Sequence, residues 1–419
     1  MQRKLALPTL AALTLIGSAT PVAASADDVL SPLFAADQGD ARGAILIEDG
    51  KVIAKRYAPG YSDANRFISW STAKTMTAML VGELVSDGKL KLDAPAPIAE
   101  WQTPGDPRAK ITLRHLLQMS SGLKHTEVGK PVEASDTNQV LFVSGTGDMA
   151  ARAIGQPLEA RPGEKFEYSS LTTIILSEIV TRTLTTSRDA KTRAKAYRDF
   201  AFERLYTPAG AAGVVLEFDG AGTQIGGSLI HLSLPDFAKV GGLLLDGKGL
   251  DGSQVIAPDW LAFMKTPSPK KAIYGGQTWL NRFAADGKGP AIASMNGHLG
   301  QYVLTFRGMG RDGKPHAYVL IRVGNTREDK LDVVEDAAGR IAAGLVPGKD
   351  KIAQTLADVA TSCGFEAGVL SRGPDGKLQF QPSRTASYLQ VVCAVTRLKA
   401  LPPELGTSPI GFVSRPPEL

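Results

Sequence analysis

Ser71 and Lys74 form a Ser-x-x-Lys sequence whose spacing suits the activation of a nucleophile. A serine hydroxyl is a weak nucleophile near neutral pH. An amine one helical turn away can accept its proton if burial or a neighbouring charge lowers the pKa of the amine. The apolar spacing from residue 71 onward predicts a helix with Ser71 at its N-terminus. Backbone N–H groups and the positive end of the helix dipole converge there, where an oxyanion would form.

A second Ser-x-x-Lys sequence runs from Ser268 to Lys271. Two prolines, Pro267 and Pro269, flank its serine, remove backbone N–H groups and oppose a helix. This copy is therefore interpreted as a solvated basic loop, and Ser71 is the candidate nucleophile.

Tyr168 is a candidate for the second proton carrier. It precedes Ser169 and Ser170 in a turn that leads into a helical pattern. A phenol whose pKa is depressed by Lys74 could take a proton as a base and return it as an acid. The structural alternative is a tyrosine packed at the edge of a loop.

The segment from His298 to Gln301 is a candidate for the oxyanion site, and it comes immediately before a predicted strand. Gly300 lets the backbone approach a neighbour closely, and the N–H of Gln301 could complete an oxyanion hole with the N–H of Ser71. The structural alternative is a turn in which His298 caps the chain.

The elements that must hold these residues predict an α+β fold. Residues 44–57 are two β-prone runs joined by Asp49-Gly50, a hairpin signal, and a second hairpin pattern lies in 302–323. Mostly helical patterns lie between them, at 71–87, 111–119, 170–184, 189–204 and 235–246, and 332–343 follows as a further helix. The sequence therefore predicts one antiparallel sheet built from distant parts of the chain, flanked by helices and interrupted by a helical insertion at about 90–235.

The domain prediction has three parts. Residues 1–26 carry Arg3 and Lys4, an apolar stretch and then Ala24-Ser25-Ala26, which is the layout of a secretory signal peptide cleaved after Ala26. Residues 27–348 form the main domain. Residues 349–419 form an extension with helical patterns near 350–361 and 386–399, a hairpin near 374–376 and a short strand near 410–414. This extension is expected to be a small appended α+β domain, the alternative being an extra layer packed on the main body.

The signal peptide predicts a secreted, periplasmic protein with no stable membrane span after cleavage, and an uncleaved N-terminal anchor is the alternative. In an oxidising compartment Cys363 and Cys393, 30 residues apart, could form a disulfide, and two buried thiols are the other reading.

Charge and composition exclude several function classes. Cleavage would remove two cations and lower the formal net charge from +5 to +3, a mildly basic balance for a 419-residue chain. No basic run interleaved with aromatic residues supports a nucleic-acid partner. The five histidines are scattered, without metal-ligand spacing, so no metal and no cofactor are predicted.

The candidate segments occur in the order seen in the serine β-lactamase and penicillin-binding-protein superfamily: Ser71 to Lys74, Tyr168 to Ser170, and His298 to Gly300. The chain resembles the class C-like branch, which also holds esterases, D-amino-acid peptidases and 6-aminohexanoate-dimer hydrolases. Residues 111–123 and 226–239 resemble the same branch, and 274–279 resemble it more weakly. The resemblance spans roughly residues 30–345.

The resemblance implies a role for each segment. Ser71 would form the acyl-enzyme, Lys74 and Tyr168 would share its proton, and Tyr168 would pass one to the leaving group. The substrate-binding and oxyanion positions would be Ser71, Ser170, His298, Gly300 and Gln301.

Two positions depart from the pattern of the β-lactamases. His298 stands where those enzymes usually carry the lysine of Lys-Thr-Gly, and Ser170 stands where many members have asparagine. A permanent cation that would pair with the carboxylate of a β-lactam is therefore missing, and a neutral histidine suits esters or amides without that carboxylate.

The predicted function is therefore a serine hydrolase that cleaves an amide or ester of a small-molecule or peptide-like substrate. One alternative is a true class C-like β-lactamase or D,D-peptidase. Another is a non-catalytic sensor or binding module with the same fold. The sequence leaves the oligomeric state open.

Overall fold

The computed structural model describes residues 29–35, 39–249, 251–283, 291–310, 314–344, 350–372, 378–383, 385–399 and 411–412. The predicted signal peptide, 1–26, lies outside these residues. So does the turn expected at residues 374–376.

A six-stranded antiparallel sheet forms the centre of the molecule, in the order β2-β1-β9-β8-β7-β6. Its strands are β1 (Asp40–Glu48), β2 (Lys51–Tyr57), β6 (Trp279–Leu280), β7 (Ala293–Gly297), β8 (Gln301–Met309) and β9 (Pro315–Asn325). Strand β1 pairs with β9, from the other end of the main domain, with Ile45 opposite Ile321. The sheet is therefore assembled from distant parts of the chain, as predicted.

Two smaller sheets complete the β structure. One, in the order β3-β5-β4, holds the chain just before Ser71 and consists of β3 (Phe67–Ile68), β4 (Val215–Leu216) and β5 (Ile230–Leu232). The other belongs to the C-terminal extension and consists of β10 (Leu370–Arg372), β11 (Leu378–Phe380) and β12 (Gly411–Phe412).

Ten α-helices of five residues or more lie in the described part of the chain. They are α1 (Thr72–Ser86), α2 (Leu113–Leu117), α3 (Met149–Ile154), α4 (Ser170–Leu184), α5 (Ala190–Ala201), α6 (Leu234–Asp246), α7 (Pro258–Met264), α8 (Leu331–Gly344), α9 (Asp350–Ser362) and α10 (Tyr388–Lys399). The other helical segments described there are 3₁₀, π or α turns of three to five residues, at Ser31–Phe34, Ala99–Trp101, Pro107–Lys110, Val132–Ala134, Asp136–Asn138, Gln139–Val143, Phe202–Tyr206, His298–Gly300, Glu328–Lys330 and Ala367–Val369.

The two faces of the central sheet are covered by different elements. Alternate side chains of β1 point to opposite faces, so Ile45 and Ile47 join the large core that contains α1 and α6. Ala44 and Leu46 join a second core formed with α8. This period of two, with helices on both faces, confirms the α+β prediction.

Helix α1 is more deeply buried than its sequence indicates. The apolar stripe predicts one buried face, but every residue from Thr72 to Leu84 is buried. The reason is that α1 packs against the sheet at β7, against α4 and against α7. A helix enclosed in this way gives the side chains at its N-terminus a fixed position.

The C-terminal extension has its own apolar cluster, which includes Leu356, Leu378 and Phe380. Cys363, at the end of α9, forms a disulfide with Cys393 of α10. The separate cluster and sheet are consistent with an appended unit. That the extension is an independent domain remains a prediction.

Candidate active site

The chain enters α1 through a turn that is fixed by the small sheet. The N–H of Ser69 donates to the carbonyl oxygen of Ile230 at 2.8 Å, and its hydroxyl donates to that of Ser228 at 3.0 Å. Trp70 then takes a left-handed conformation with φ of +45°, which is costly for a residue with a side chain. Ser71 occupies the N-cap position, but its hydroxyl makes no capping bond. That hydroxyl is therefore not used to cap the helix.

The amine of Lys74 lies within hydrogen-bond distance of three oxygen atoms. Its Nζ is 2.9 Å from Oγ of Ser71, 2.9 Å from Oγ of Ser170 and 2.8 Å from the carbonyl oxygen of Gly227. Lys74 is 1% exposed. Burial lowers the pKa of its amine to about 8, although the charge of Glu127 partly opposes this shift. This geometry and this pKa would allow Lys74 to accept the proton of Ser71.

Tyr168 lies against the same pair of residues, with the centre of its ring 5.0 Å from Nζ of Lys74. Its ring packs on Trp279 at 5.6 Å and on Tyr274 at 6.0 Å between centroids. Burial, and then the charge of Glu127, raises the pKa of the phenol, and a hydrogen bond with Ser71 only partly offsets this. The expectation that Lys74 depresses the pKa of Tyr168 was therefore wrong.

The two pKa directions separate the roles that the sequence left shared. A phenol with a raised pKa stays protonated near neutral pH, so Tyr168 can donate a proton to a leaving group. A buried amine with a lowered pKa can accept one, so Lys74 suits the part of the base.

Ser170 is the first residue of α4 and links Lys74 to a carboxylate that the sequence reasoning missed. Its hydroxyl donates to Oε1 of Glu127 at 2.6 Å, and its backbone N–H donates to Oε2 at 2.8 Å. Nε2 of His125 lies 2.6 Å from Oε2 of the same carboxylate, and the hydroxyl of Thr137 donates to it at 2.9 Å. Glu127 is thus tied to the site by four hydrogen bonds.

Glu127 remains ionised despite its surroundings. Burial opposes its charge, but the hydrogen bond with His125, the charge of Lys74 and the bond with Ser170 together lower its pKa to about 2. Glu127 lies in a loop without periodicity, five residues after Gly122. A single carboxylate in such a loop gives no signal until the fold brings it to Lys74.

The turn from His298 to Gln301 lies beside the N-terminus of α1. A Cβ atom added to Gly297 would stand 2.5 Å from the carbonyl oxygen of Ser69, so the end of β7 touches the turn that leads to Ser71. The ring of His298 packs edge-on against that of Trp70, with 5.3 Å between centroids. Loss of solvation lowers the pKa of His298, which favours its neutral form.

Gly300 and Gln301 are occupied in shaping this turn. Gly300 has φ of +81°, and an added Cβ would stand 2.5 Å from Nη1 of Arg322. The side-chain amide of Gln301 donates to the carbonyl oxygen of Gly324 at 2.7 Å and accepts from the N–H of that residue at 3.0 Å. The close approach at Gly300 is therefore to Arg322. The oxyanion role of the Gln301 N–H remains a prediction.

The structure thus brings Ser71, Lys74, Tyr168 and Ser170 into one cluster and places the 298–301 turn next to it. Ser268 is not part of this cluster, because its hydroxyl accepts from the N–H of Lys270 in a separate loop. Its side chain is buried, so the expectation that this serine is solvated was wrong. Among the described residues, no group of three or more His, Cys, Asp or Glu side chains could hold a metal ion. None of the helices described there is long and apolar enough to cross a membrane.

Comparisons with known proteins show the family and the fold. The model of the Beta-lactamase family matches residues 33–309. The 6-aminohexanoate-dimer hydrolase of Paenarthrobacter ureafaciens is 22% identical over 237 residues, which are 55% of this chain and 58% of that enzyme. The chain therefore aligns with little more than half the length of this relative.

Two solved structures show the same fold. A candidate 6-aminohexanoate-dimer hydrolase from Bacillus anthracis superposes with a TM-score of 0.60 at 19% identity, covering 79% of this chain and 84% of that one. A family VIII carboxylesterase superposes with a TM-score of 0.53 at 17% identity, covering 76% and 96% of the two chains. Because the family model matches about two thirds of the sequence, the chain belongs to the Beta-lactamase family of serine hydrolases.

Proposed function

We propose that this protein cleaves an amide or ester bond of a small-molecule or peptide-like substrate through an acyl-enzyme on Ser71. The observation that carries the proposal is the buried amine of Lys74, 2.9 Å from the Ser71 hydroxyl, with its pKa lowered to about 8. A nucleophile and a tuned base in hydrogen-bond contact are what acyl transfer requires.

The proposed reaction follows from the lowered pKa of the Lys74 amine and the raised pKa of the Tyr168 phenol. The Ser71 oxygen attacks the carbonyl carbon while its proton passes to the neutral amine of Lys74. Tyr168 gives its proton to the departing amine or alcohol, and the protonated Lys74 then restores the proton of the phenol. Water releases the acyl group in a second step, with the same groups acting in reverse. Lys74 and Tyr168 thus recover their starting protonation states in the first half, and Ser71 regains its proton from water in the second.

The surroundings of Ser71 support a substrate whose acyl part is uncharged. His298 occupies the position of the usual lysine, and the pKa of its ring is lowered. Arg282 lies near enough to Tyr168 to lower the pKa of the phenol, but its guanidinium is paired with Glu335 at 2.7 Å. The aromatic ring of Trp70, the residue before Ser71, also packs edge-on against that of Phe142, with 6.4 Å between centroids.

A fluorophosphonate probe tests the nucleophile directly. Intact-mass measurement of the purified protein should show a single adduct, located on Ser71 by peptide mapping. Ser71→Ala should abolish the adduct. The matched control is Ser268→Ala, which alters the second Ser-x-x-Lys sequence and should label at the wild-type rate. Labelling that persists in Ser71→Ala would refute the assignment, and a folded wild-type protein that never labels would favour the binding-module alternative.

A substrate panel then narrows the reaction. It should contain p-nitrophenyl esters, the 6-aminohexanoate dimer, D-alanyl amides and the chromogenic cephalosporin nitrocefin. We expect turnover of an ester or an amide in preference to nitrocefin, because the lysine of Lys-Thr-Gly is absent. Efficient nitrocefin hydrolysis would instead support the β-lactamase alternative.

The proposal includes secretion to the periplasm, supported by the layout of residues 1–26. Cell fractionation should recover a mature protein whose N-terminal sequence begins at Asp27. A full-length protein in the membrane fraction would instead support the uncleaved anchor.

A further inference from the structure

Glu127 holds a position in the site that the proposed reaction does not yet use. Its carboxylate does not touch Lys74 directly, and the hydroxyl of Ser170 stands between them. That hydroxyl lies 2.6 Å from Oε1 of Glu127 and 2.9 Å from Nζ of Lys74. The three groups form a chain that continues to Ser71, also 2.9 Å from Nζ.

The direction of each hydrogen bond in this chain is fixed by the carboxylate. An ionised carboxylate only accepts, so the single proton of the Ser170 hydroxyl is committed to Glu127. The Ser170 oxygen can then only accept from Lys74. The carbonyl oxygen of Gly227 also only accepts, at 2.8 Å. In the neutral amine, the two N–H groups of Nζ therefore donate to Ser170 and Gly227. The electron pair of the nitrogen faces Ser71.

We infer that Glu127 is a positioning residue for Lys74, which acts through the hydroxyl of Ser170 to aim the free electron pair of the neutral amine at Ser71. The inference rests on the proposed function, because it concerns the same proton transfer. Without the carboxylate, the Ser170 hydroxyl could turn its proton toward Lys74, and the electron pair of the amine would be drawn away from Ser71. The carboxylate also compensates for the short side chain at position 170.

The charged and titratable groups around Glu127 come from several elements. His125 and Thr137 contact it from the surrounding loop and its short helix, and Lys74 faces it from α1. Its charge also raises the pKa values of Tyr168, Tyr274 and, weakly, His298. For the proposed base, the interaction of Glu127 with Lys74 is the important one. The charge of Glu127 favours the protonated form of the Lys74 amine.

A purely structural role is the competing explanation. The N–H of Ser170 is one of the unpaired donors at the start of α4, and Glu127 accepts from it at 2.8 Å. A carboxylate at a helix N-terminus stabilises the helix without any part in catalysis. Such a role predicts a lower melting temperature for a variant and an unchanged plateau of kcat/KM, although loss of the charge would still move the midpoint.

The decisive variant is Glu127→Gln, assayed for kcat/KM against pH on an ester that the wild-type protein hydrolyses. We expect the high-pH plateau of kcat/KM to fall about 10- to 100-fold, because the electron pair of the Lys74 amine is no longer directed at Ser71. We also expect the midpoint to move about one pH unit lower, because the charge that holds the proton on Lys74 is gone. Glu127→Asp keeps the charge and should return the midpoint toward the wild-type value.

Two further variants distinguish loss of the hydrogen bonds from Glu127 through Ser170 to Lys74 from a general destabilisation of the protein. Ser170→Ala removes the bridging hydroxyl and should lower the plateau by a similar factor. The double variant with Glu127→Gln should be little worse than either single one, because both changes break the same link. The matched control is Glu83→Gln, which changes a buried carboxylate of α1. Its partner Arg204 would still be paired with Asp87, 3.0 Å away. Its midpoint and plateau should match those of the wild type.

The outcomes are distinct. A Glu127→Gln protein with the wild-type plateau of kcat/KM overturns the inference and leaves the structural role, even if its midpoint moves. If that variant does not fold, an unchanged plateau for Ser170→Ala overturns the inference equally. A wild-type protein that is folded but neither labels at Ser71 nor hydrolyses any substrate refutes the proposed function itself. Failure of the inference and failure of the function are therefore told apart by the wild-type protein.

Discussion

Two carboxylates, one on helix α4 and one beside its start, have positive partners that differ. Glu178, in the middle of α4, is bound directly by Nε of Arg182 and Nη2 of Arg193, each at 2.6 Å, and by the hydroxyl of Thr223 at 2.6 Å. Glu127, at the start of α4, reaches Lys74 only through the hydroxyl of Ser170. Both carboxylates are largely removed from solvent, with side-chain exposures of 4% and 22%.

The difference separates a structural ion pair from a chemical one. A guanidinium does not lose its proton in a protein, so the arginines around Glu178 form a permanent pair that joins α4 to α5. An amine can lose its proton, and burial lowers the pKa of Lys74 to about 8. The hydroxyl between Lys74 and Glu127 keeps the two charges from meeting, and the proton of the amine remains available for exchange.

Lys74→Met tests the chemical side of this comparison and should have the largest effect. Methionine keeps most of the apolar stem and removes the amine, so the Ser71 hydroxyl loses its proton acceptor. We expect kcat/KM to fall on the order of 10³- to 10⁴-fold. Circular dichroism should show a folded protein, and turnover within a factor of ten of the wild type would remove Lys74 from the mechanism.

Glu178→Gln tests the structural side. The neutral amide leaves Arg193, which is largely buried, without a full counter-charge, whereas Arg182 is partly exposed and keeps its pair with Glu100. The free energy of unfolding should therefore fall by about 3 kcal/mol. Urea denaturation measures this change. At a temperature where the variant is folded, Ser71 should still label with a fluorophosphonate at the wild-type rate. A loss of labelling in the folded variant would mean that the two carboxylates are not functionally separate.

The comparison also shows where sequence reasoning succeeds. The strands and helices that hold the site follow from local patterns, since hairpin turns and apolar spacing are properties of neighbouring residues. The position of Ser71 before α1 follows from the same patterns. These signals lie within about fifteen residues of each other along the chain.

The rest of the site depends on contacts between distant segments. Ser170 and Lys74 are 96 residues apart, and Glu127 and Ser170 are 43 apart. No local pattern distinguishes the loop carboxylate of Glu127 from an exposed one. The pKa of Tyr168 was mispredicted for the same reason: burial and Glu127 both raise it, and neither is visible in the sequence near Tyr168.

Tyr168→Phe tests the proposed proton donor alone, because the variant keeps Lys74 as the base. The variant keeps the ring that packs on Trp279 and loses the hydroxyl. Hydrolysis of an amide or alkyl ester should slow about 10²-fold, since its leaving group needs a proton. A p-nitrophenyl ester should slow much less, because p-nitrophenolate leaves without one. An equal loss on both substrates would contradict the role of Tyr168 as the acid.

The pH dependence of the wild-type protein is the mildest test, and it needs no variant. Only the neutral amine of Lys74 can accept the proton of Ser71, and the pKa of that amine is about 8. The value of kcat/KM should therefore rise from pH 6 through pH 8 and level off above it, with activity at pH 7 about a tenth of the plateau. Glu178→Gln should leave this midpoint in place, because its arginine partners do not titrate in this range. A flat profile between pH 6 and 9 would show that no group of pKa near 8 controls the nucleophile, and the distinction between the permanent pair and the titratable one would then fail.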